Sequence, residues 1–298
     1  MDLKNLSTFH GNGYIKRKPS KEFSIQNYRY DVKSVIIFSI DDKWKDRIES
    51  MNTRDNLAIG NPNFNELKNE IQQYTQLLSN NNINVDILVS SVFLPNIIYA
   101  SDLFFSYNGN IFISRMDSEQ RKKEEDEFFI QMKNKEYNII NPFDNNDTFE
   151  GSDLAIIDND TFAIGVGNRT SISSTYKLIH YLNRSPILIK LPCDIQHLLG
   201  LMNILDNKTI VIRKDKIIDN NMYKIISKFE NVIELEENDE VTNNFAMNFV
   251  PIGNKTIIMA DDCPNTQKIF EKEGIKVLTT KMKEIRKLGG GIACMTGR

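Results

Sequence analysis

Four stretches of this chain are built alike: an apolar run, a short polar tip and a second apolar run. Asp102-Leu-Phe-Phe-Ser-Tyr-Asn-Gly109-Asn-Ile-Phe-Ile-Ser114 is the plainest. Asn-Gly between alternating hydrophobic residues favours a two-residue hairpin turn. Residues 154–165, 202–212 and 245–259 repeat the pattern, and the tip Asn-Lys-Thr-Ile occurs in both of the last two. The hairpins begin about 45 to 50 residues apart, and the intervals between them carry helical spacing. Residues 118–134 place Phe128, Phe129 and Met132 on one side, and residues 171–182 do the same with Ile172, Thr175, Tyr176 and Ile179. Residues 222–229 and 265–273 are shorter cases. A helix over 63–78 and extended runs over 32–40, 83–89, 187–189 and 277–279 complete the series.

A unit of this size that recurs along a chain buries its apolar faces against its neighbours, as repeat and propeller folds do. Counting the strand–helix–strand stretch near the N-terminus, the units number five. The expected architecture is a single α/β domain over 1–298: a five-unit propeller of ββαβ-like units around a central site, with an arm over 1–30. The competing arrangement is one open α/β sheet. No Gly-x-Gly-x-x-Gly follows a strand, which argues against a dinucleotide-binding version of that sheet.

With 40% hydrophobic residues among 298, the chain can bury a substantial core. A net charge of −3 and a single short basic cluster, Lys16-Arg17-Lys18, argue against a nucleic-acid partner. No signal peptide opens the chain, and no apolar run approaches the roughly 18 residues of a membrane span. Cys193, Cys263 and Cys294 are odd in number and widely spaced, which fits neither a disulfide framework nor a metal site. A cytoplasmic protein without metal or cofactor is expected, acting on a small molecule.

The tail reads Gly289-Gly290-Gly291-Ile292-Ala293-Cys294. Three glycines let the backbone approach its neighbours closely, and a polarizable sulfur follows. Read alone, Cys294 is a buried thiol as readily as a nucleophile. Other polar groups stand at the edges of the repeats: Asp102, Glu150-Gly151-Ser152-Asp153, Arg169 and His197. In a closed repeat fold, equivalent ends of successive units converge on one axis. A thiolate needs a nearby cation or donor, and His197, one of only three histidines, supplies one. Asp102 and Glu150 suit a cationic substrate, because carboxylates bind a guanidinium through paired, charge-assisted hydrogen bonds. Arginines outside that pocket, Arg121 and Arg169, suit a substrate carboxylate. Together they describe an arginine-like molecule.

The chain resembles the guanidino-modifying (pentein) superfamily of arginine deiminases, dimethylarginine dimethylaminohydrolases and amidinotransferases over roughly residues 60 to 298. Pro95-Asn-Ile-Ile-Tyr-Ala-Ser-Asp102 is similar to the deiminase segment Pro-Asn-Leu-Tyr-Phe-Thr-Arg-Asp, which implies that Asp102 is a guanidinium ligand. Residues 115–124 resemble the segment holding a carboxylate-binding arginine, which falls on Arg121. Glu150-Gly-Ser-Asp153 looks like Glu-Gly-Gly-Asp, making Glu150 the catalytic carboxylate and bringing in Asp153 as a substrate-binding candidate. Gly165-Val-Gly-Asn-Arg-Thr-Ser171 is similar to Gly-Ile-Gly-Glu-Arg-Thr-Ser, making Arg169 a second carboxylate clamp. Gln196-His197-Leu198 falls on the catalytic His-Leu, and the Gly-rich segment ending in Cys294-Met-Thr falls on the nucleophile motif.

Two positions depart from the deiminase pattern. Ser101 stands where an arginine precedes the first Asp, and Leu199 where many members have an Asp two residues after the histidine. Leu199 turns the expectation from plain arginine toward a dimethylarginine-type substrate. The implied activity is cofactor-free hydrolysis of a guanidino compound through a covalent Cys294 thiouronium. The alternatives are amidino transfer to an amine, a second hydrolysis at the same carbon, or a silent arginine-binding member of the superfamily.

Overall fold

The computed structural model describes residue 30, residues 32–135 and residues 137–298. The arm expected over 1–30 lies outside the described residues but for Tyr30.

All four hairpins form. Strands β1 (Ser34–Ile40) and β2 (Asn84–Ser90) come first in the chain. The plainest hairpin follows as β3 (Phe104–Tyr107) and β4 (Asn110–Ile113), turning on Asn108 and Gly109 at φ of 49° and 74°. Positive φ at both turn residues is what a type I′ hairpin requires, and Asn-Gly tolerates it best. The chain then runs through a helix, Lys122–Lys133, and returns as β5 (Asn138–Ile140), which pairs parallel with β4. The same order recurs with β6 (Leu154–Ile156), β7 (Thr161–Val166), the helix Ile172–Leu182 and β8 (Ser185–Lys190). It recurs with β9 (Met202–Ile204), β10 (Thr209–Arg213), the helix Asn221–Ile226 and β11 (Asn231–Leu235). The last full unit is β12 (Val250–Pro251), β13 (Thr256–Ala260), the helix Pro264–Lys272 and β14 (Lys276–Thr280). The sheets are five separate small ones, so the open-sheet alternative does not hold among the described residues.

Among the described residues the first sheet, β1 beside β2, has no hairpin partner of its own. Residues at the far end of the chain take that place. Gly297 forms an antiparallel bridge to Ile36, exchanging N–H···O bonds of 2.9 and 3.1 Å. Gly297 is needed there, since a Cβ would lie 2.4 Å from the Phe104 ring. The segment carrying Cys294 is thereby tied to both the first sheet and the first hairpin.

Helix Phe64–Asn80 shows how the sequence dictates these elements. Asn63 accepts the Glu66 N–H at 3.0 Å as N-cap, and Phe64, Leu67, Ile71, Tyr74 and Leu78 form a buried stripe at helical spacing. Lys122–Lys133 starts later than the expected 118, because Ser118 begins a turn closed by the Arg121 N–H at 2.9 Å. Phe128 from this helix stacks on Phe104 at 4.9 Å and meets Phe38 at 6.3 Å, joining the helix to two sheets. Fully burying such a side chain stabilises the fold by roughly 1.5–3 kcal/mol. Among the described residues no helix is long and apolar enough to cross a membrane.

Candidate active site

Each hairpin is entered through a tight turn, and these turns hold the polar residues. Ala100–Leu103 precedes β3 and carries Asp102, while Gly151–Asp153 precedes β6 with Glu150 at its start. Leu198–Gly200 precedes β9 with His197 at its start, and Ile292–Met295, carrying Cys294, precedes the Gly297 bridge.

The structure brings Asp102, Glu150 and His197 into direct contact. His197 Nε2 lies 2.7 Å from Glu150 Oε2, and its Nδ1 lies 3.7 Å from Asp102 Oδ1. Ser152 Oγ donates to Asp102 Oδ1 at 2.5 Å. Arg121 Nη1 donates to Asp102 Oδ2 at 2.7 Å and stands 3.7 Å from Glu150 Oε2, while its Nε donates to Glu124 at 2.9 Å. The groups are all buried, with Glu150 fully so. Burial works against a charged His197, but Asp102 and Glu150 outweigh it and lift the imidazole to about 9. Burial raises Asp102 too, yet His197 and Arg121 together hold it below the usual carboxylate range. Glu124 is pushed up to about 7 by burial, against the pull of Arg121.

Arg121 therefore stands inside the carboxylate cluster, not outside it as expected from the sequence. Arg169 is nearer the surface, with Nη1 3.6 Å from Glu150 Oε1. That oxygen is buried and, among the described residues, has no hydrogen-bond partner. Asp153 is fully buried, and both its oxygens are committed: one accepts the Thr170 hydroxyl at 2.6 Å, the other the Leu198 N–H at 2.9 Å. It lines neither cavity at the site, which sets it apart from its expected contact with substrate.

Cys294 is half-buried, and its Sγ accepts from Asn248 Nδ2 at 3.0 Å. Burial and then the charge of Asp102 push its thiol up to about 11. The glycines before it all have a reason. Gly289 sits at φ 97°, a Cβ on Gly290 would lie 2.6 Å from the Tyr99 ring, and one on Gly291 would lie 2.6 Å from Asn248 Oδ1. Cys193 is exposed, and Cys263 is buried and pushed up to about 12 by that burial.

Two cavities meet at Cys294, His197 and Gln196. The smaller, of about 50 Å³, is lined by Asp102, Arg121, Arg169, Asn96 and Tyr99. The wider, of about 370 Å³, has an apolar wall of Leu199, Val241, Phe245 and Met247, with Arg213 and Glu237 at its edge. Leu199 thus faces a cavity at the site rather than only the core.

Asp102, Glu150 and His197 place ligand atoms within 4.8 Å of one another, a spacing that could hold a metal ion. The Arg121 guanidinium already sits against both carboxylates and supplies the compensating positive charge. A cation on that side would have to displace it.

Asn248, Glu124 and Ser152 escaped the sequence reading as individual residues. Asn248 carried no usable signal: it falls inside the hairpin expected over 245–259, and the structure instead starts β12 at Val250, leaving Asn248 in the turn before it.

The family model described as N,N dimethylarginine dimethylhydrolase, eukaryotic, matches residues 47–298. An uncharacterized protein, YkgA, of Bacillus subtilis is 27% identical over 225 residues, covering 74% of this chain and 76% of that protein. The dimethylarginine dimethylaminohydrolase of Pseudomonas aeruginosa is 21% identical over 247 residues, covering 80% of this chain and 91% of that one. A structure of the Pseudomonas enzyme with citrulline superposes with a TM-score of 0.73 at 19% identity, covering 90% of this chain and 100% of that one. The N-terminal domain of ArgZ, an arginine dihydrolase of cyanobacteria, superposes with a TM-score of 0.77 at 18% identity, covering 89% and 97%. The chain is thus a member of the guanidino-modifying superfamily, a hydrolase of C–N bonds in linear amidines, and it belongs to the N,N-dimethylarginine dimethylhydrolase family.

Proposed function

We propose that the protein hydrolyses an arginine-like guanidino compound through a covalent intermediate on Cys294. The observation that carries this reading is the junction at Cys294 and His197. A thiol and an imidazole backed by Glu150 at 2.7 Å share one small cavity with Asp102. Asp102 accepts from the guanidinium N–H groups and orients them. At neutral pH the resting pair is a thiol and an imidazolium, given values of about 11 and about 9. An arriving guanidinium brings the positive charge that favours the thiolate, and the thiol proton leaves to water.

Sγ then forms a bond to the amidine carbon. The C–N bond to the departing amine breaks as His197 gives that nitrogen its proton. The product is an S-alkylthiouronium. Water next loses a proton to His197 and attacks the same carbon, the C–S bond breaks, and a ureido product and the free cysteine result. Glu150 keeps the imidazole charged and oriented. Arg169 is our candidate for a substrate carboxylate, being the less buried arginine at the small cavity. Arg121, with its N–H groups on Asp102 and Glu124, holds the guanidinium ligand in place and reaches a carboxylate only by turning away from them. Asp153 acts on His197 through the Leu198 N–H, as a positioning residue.

Structures of related proteins as adducts and as a covalent reaction intermediate support this chemistry. We further read the five sheets as a five-unit propeller around this site within one domain, and the three free cysteines as suited to a reducing cytoplasm. A second reading, amidino transfer, draws on the wide cavity: an amine entering there would reach the same carbon as water does. The test is a mass-spectrometric panel of arginine, methylated arginines, agmatine and guanidinoacetate, each with and without glycine or lysine. Hydrolysis predicts a ureido product that takes oxygen from labelled water and ignores the acceptor. A guanidino product on the acceptor, without the label, would favour transfer. No product from any of them would sink the enzymatic reading.

A further inference from the structure

A polar side chain outside the expected set touches the sulfur. Asn248 stands two residues before β12, in the turn that enters its hairpin, as Asp102, Glu150 and His197 stand in the segments that lead into β3, β6 and β9. Both ends of its carboxamide are in use. Oδ1 accepts the N–H of Ala293 at 2.7 Å and that of Cys294 at 3.4 Å, while Nδ2 donates to Cys294 Sγ at 3.0 Å. Because Oδ1 is fixed by backbone donors, the amide cannot turn over without leaving them facing its N–H₂.

The surroundings hold this arrangement. The Asn248 N–H donates to Phe245 O at 2.7 Å, and Asn203 Nδ2 donates to the adjacent Phe249 O at 2.9 Å. Gly291 lets the amide lie close against the loop, since a Cβ there would strike Oδ1.

We propose that Asn248 fixes Cys294 Sγ for attack and stabilises its thiolate, a role that rests on Cys294 being the nucleophile. Other charged and titratable groups face the sulfur from both cavities. Asp102 disfavours the thiolate, Arg121 favours it, and Tyr99, Arg169 and His197 line the same small cavity. Across the wide cavity Arg213 is paired with Glu237 at 2.7 Å, and Lys216 with Asp194, so their charges largely cancel. Among these groups Asn248 is the side chain that donates directly to Sγ, and a donor to an ionised sulfur makes a charge-assisted bond.

Asn248→Asp tests the role. It keeps an acceptor for the Ala293 and Cys294 N–H groups, but puts an oxygen where the donor was. Alkylation of Cys294 by a haloacetamidine at pH 8, followed by peptide mapping, should slow by at least roughly tenfold, the loss expected from one unit of thiol pKa. On the substrate that the wild type turns over best, kcat should fall with KM changed by less than about threefold, as for an interaction that acts on the chemical step. Should Asn248→Asp not fold, Asn248→Ala decides by the same alkylation rate. A rate within about twofold of wild type, with Cys294 still the residue labelled, would overturn the role of Asn248 alone. Full turnover in Cys294→Ser would instead overturn the nucleophile reading beneath it.

Discussion

Glu150→Gln should move the titration of His197, and the structure sets the size of the move. The imidazole is held at about 9 although burial favours its neutral form. Asp102 contributes from 3.7 Å and Glu150 from 2.7 Å, the latter through a direct hydrogen bond. A hydrogen bond between charged partners is worth roughly 1.5–3 kcal/mol, which is about one to two pKa units at 1.36 kcal/mol each. Glutamine keeps the shape and an acceptor but removes the charge. His197 should then titrate about one to two units lower, at about 7 to 8.

The assay is an NMR titration of protein labelled at histidine nitrogen. The chain has three histidines, so His197→Asn assigns the signal. The alkaline limb of kcat should shift with it, because leaving-group protonation needs the imidazolium. The same shift has a stability consequence. A histidine raised from about 6.5 to about 9 on folding contributes stability that is fully present below pH 6.5 and is lost as pH rises through 9. Glu150→Gln should narrow that window. A His197 pKa unchanged to within about 0.3 unit in Glu150→Gln would refute the reasoning, since the contact would then carry no charge coupling.

Arg169→Ala should raise KM by more than roughly tenfold through loss of a charge-assisted pair, and agmatine, which lacks the carboxylate, should be a poor substrate. Equal kcat/KM for agmatine and arginine would remove Arg169 from carboxylate binding. Leu199 lines the wide cavity, so an N–H facing it goes unpaired at a cost of about 1–3 kcal/mol, whereas an N-methyl group fits. Wild type should prefer methylated arginines, and Leu199→Asp should move kcat/KM toward arginine; an unmoved ratio shows that Leu199 does not read the substrate. Gly290→Ala should cut activity at least roughly tenfold, because its Cβ would meet the Tyr99 ring at 2.6 Å and displace the Cys294 loop. Activity within about twofold of wild type would show that the loop gives way without moving the sulfur.

The hairpins were legible because their signals are local. Asn108-Gly109 demands a left-handed turn wherever it stands, and the alternating runs around it pair with each other. The antiparallel neighbour of β1 was not legible, since Gly297 reaches Ile36 from the other end of the chain and nothing in a short window announces that bridge. Asp102, Glu150, His197 and Cys294 stood out because each is a reactive residue type at the entrance to a repeat. Asn248 occupies the same place but is an ordinary turn residue by type, so only its contact with Sγ distinguishes it. The surroundings of Arg121 and Asp153 depend on side-chain direction and burial, which residue spacing does not encode. Their chain positions were readable, but their partners, Glu124 for one and Thr170 for the other, required the folded packing.

The central claim is the covalent bond at Cys294. Acid quenching during turnover of the best substrate in the panel, followed by peptide mapping, reads it directly. The expected result is an amidino adduct confined to the peptide holding Cys294, decaying when substrate is exhausted and absent from an inactive, folded Cys294→Ser. Turnover by Cys294→Ser, or an adduct on Cys193 or Cys263 that forms and decays with turnover in place of one on Cys294, would contradict it.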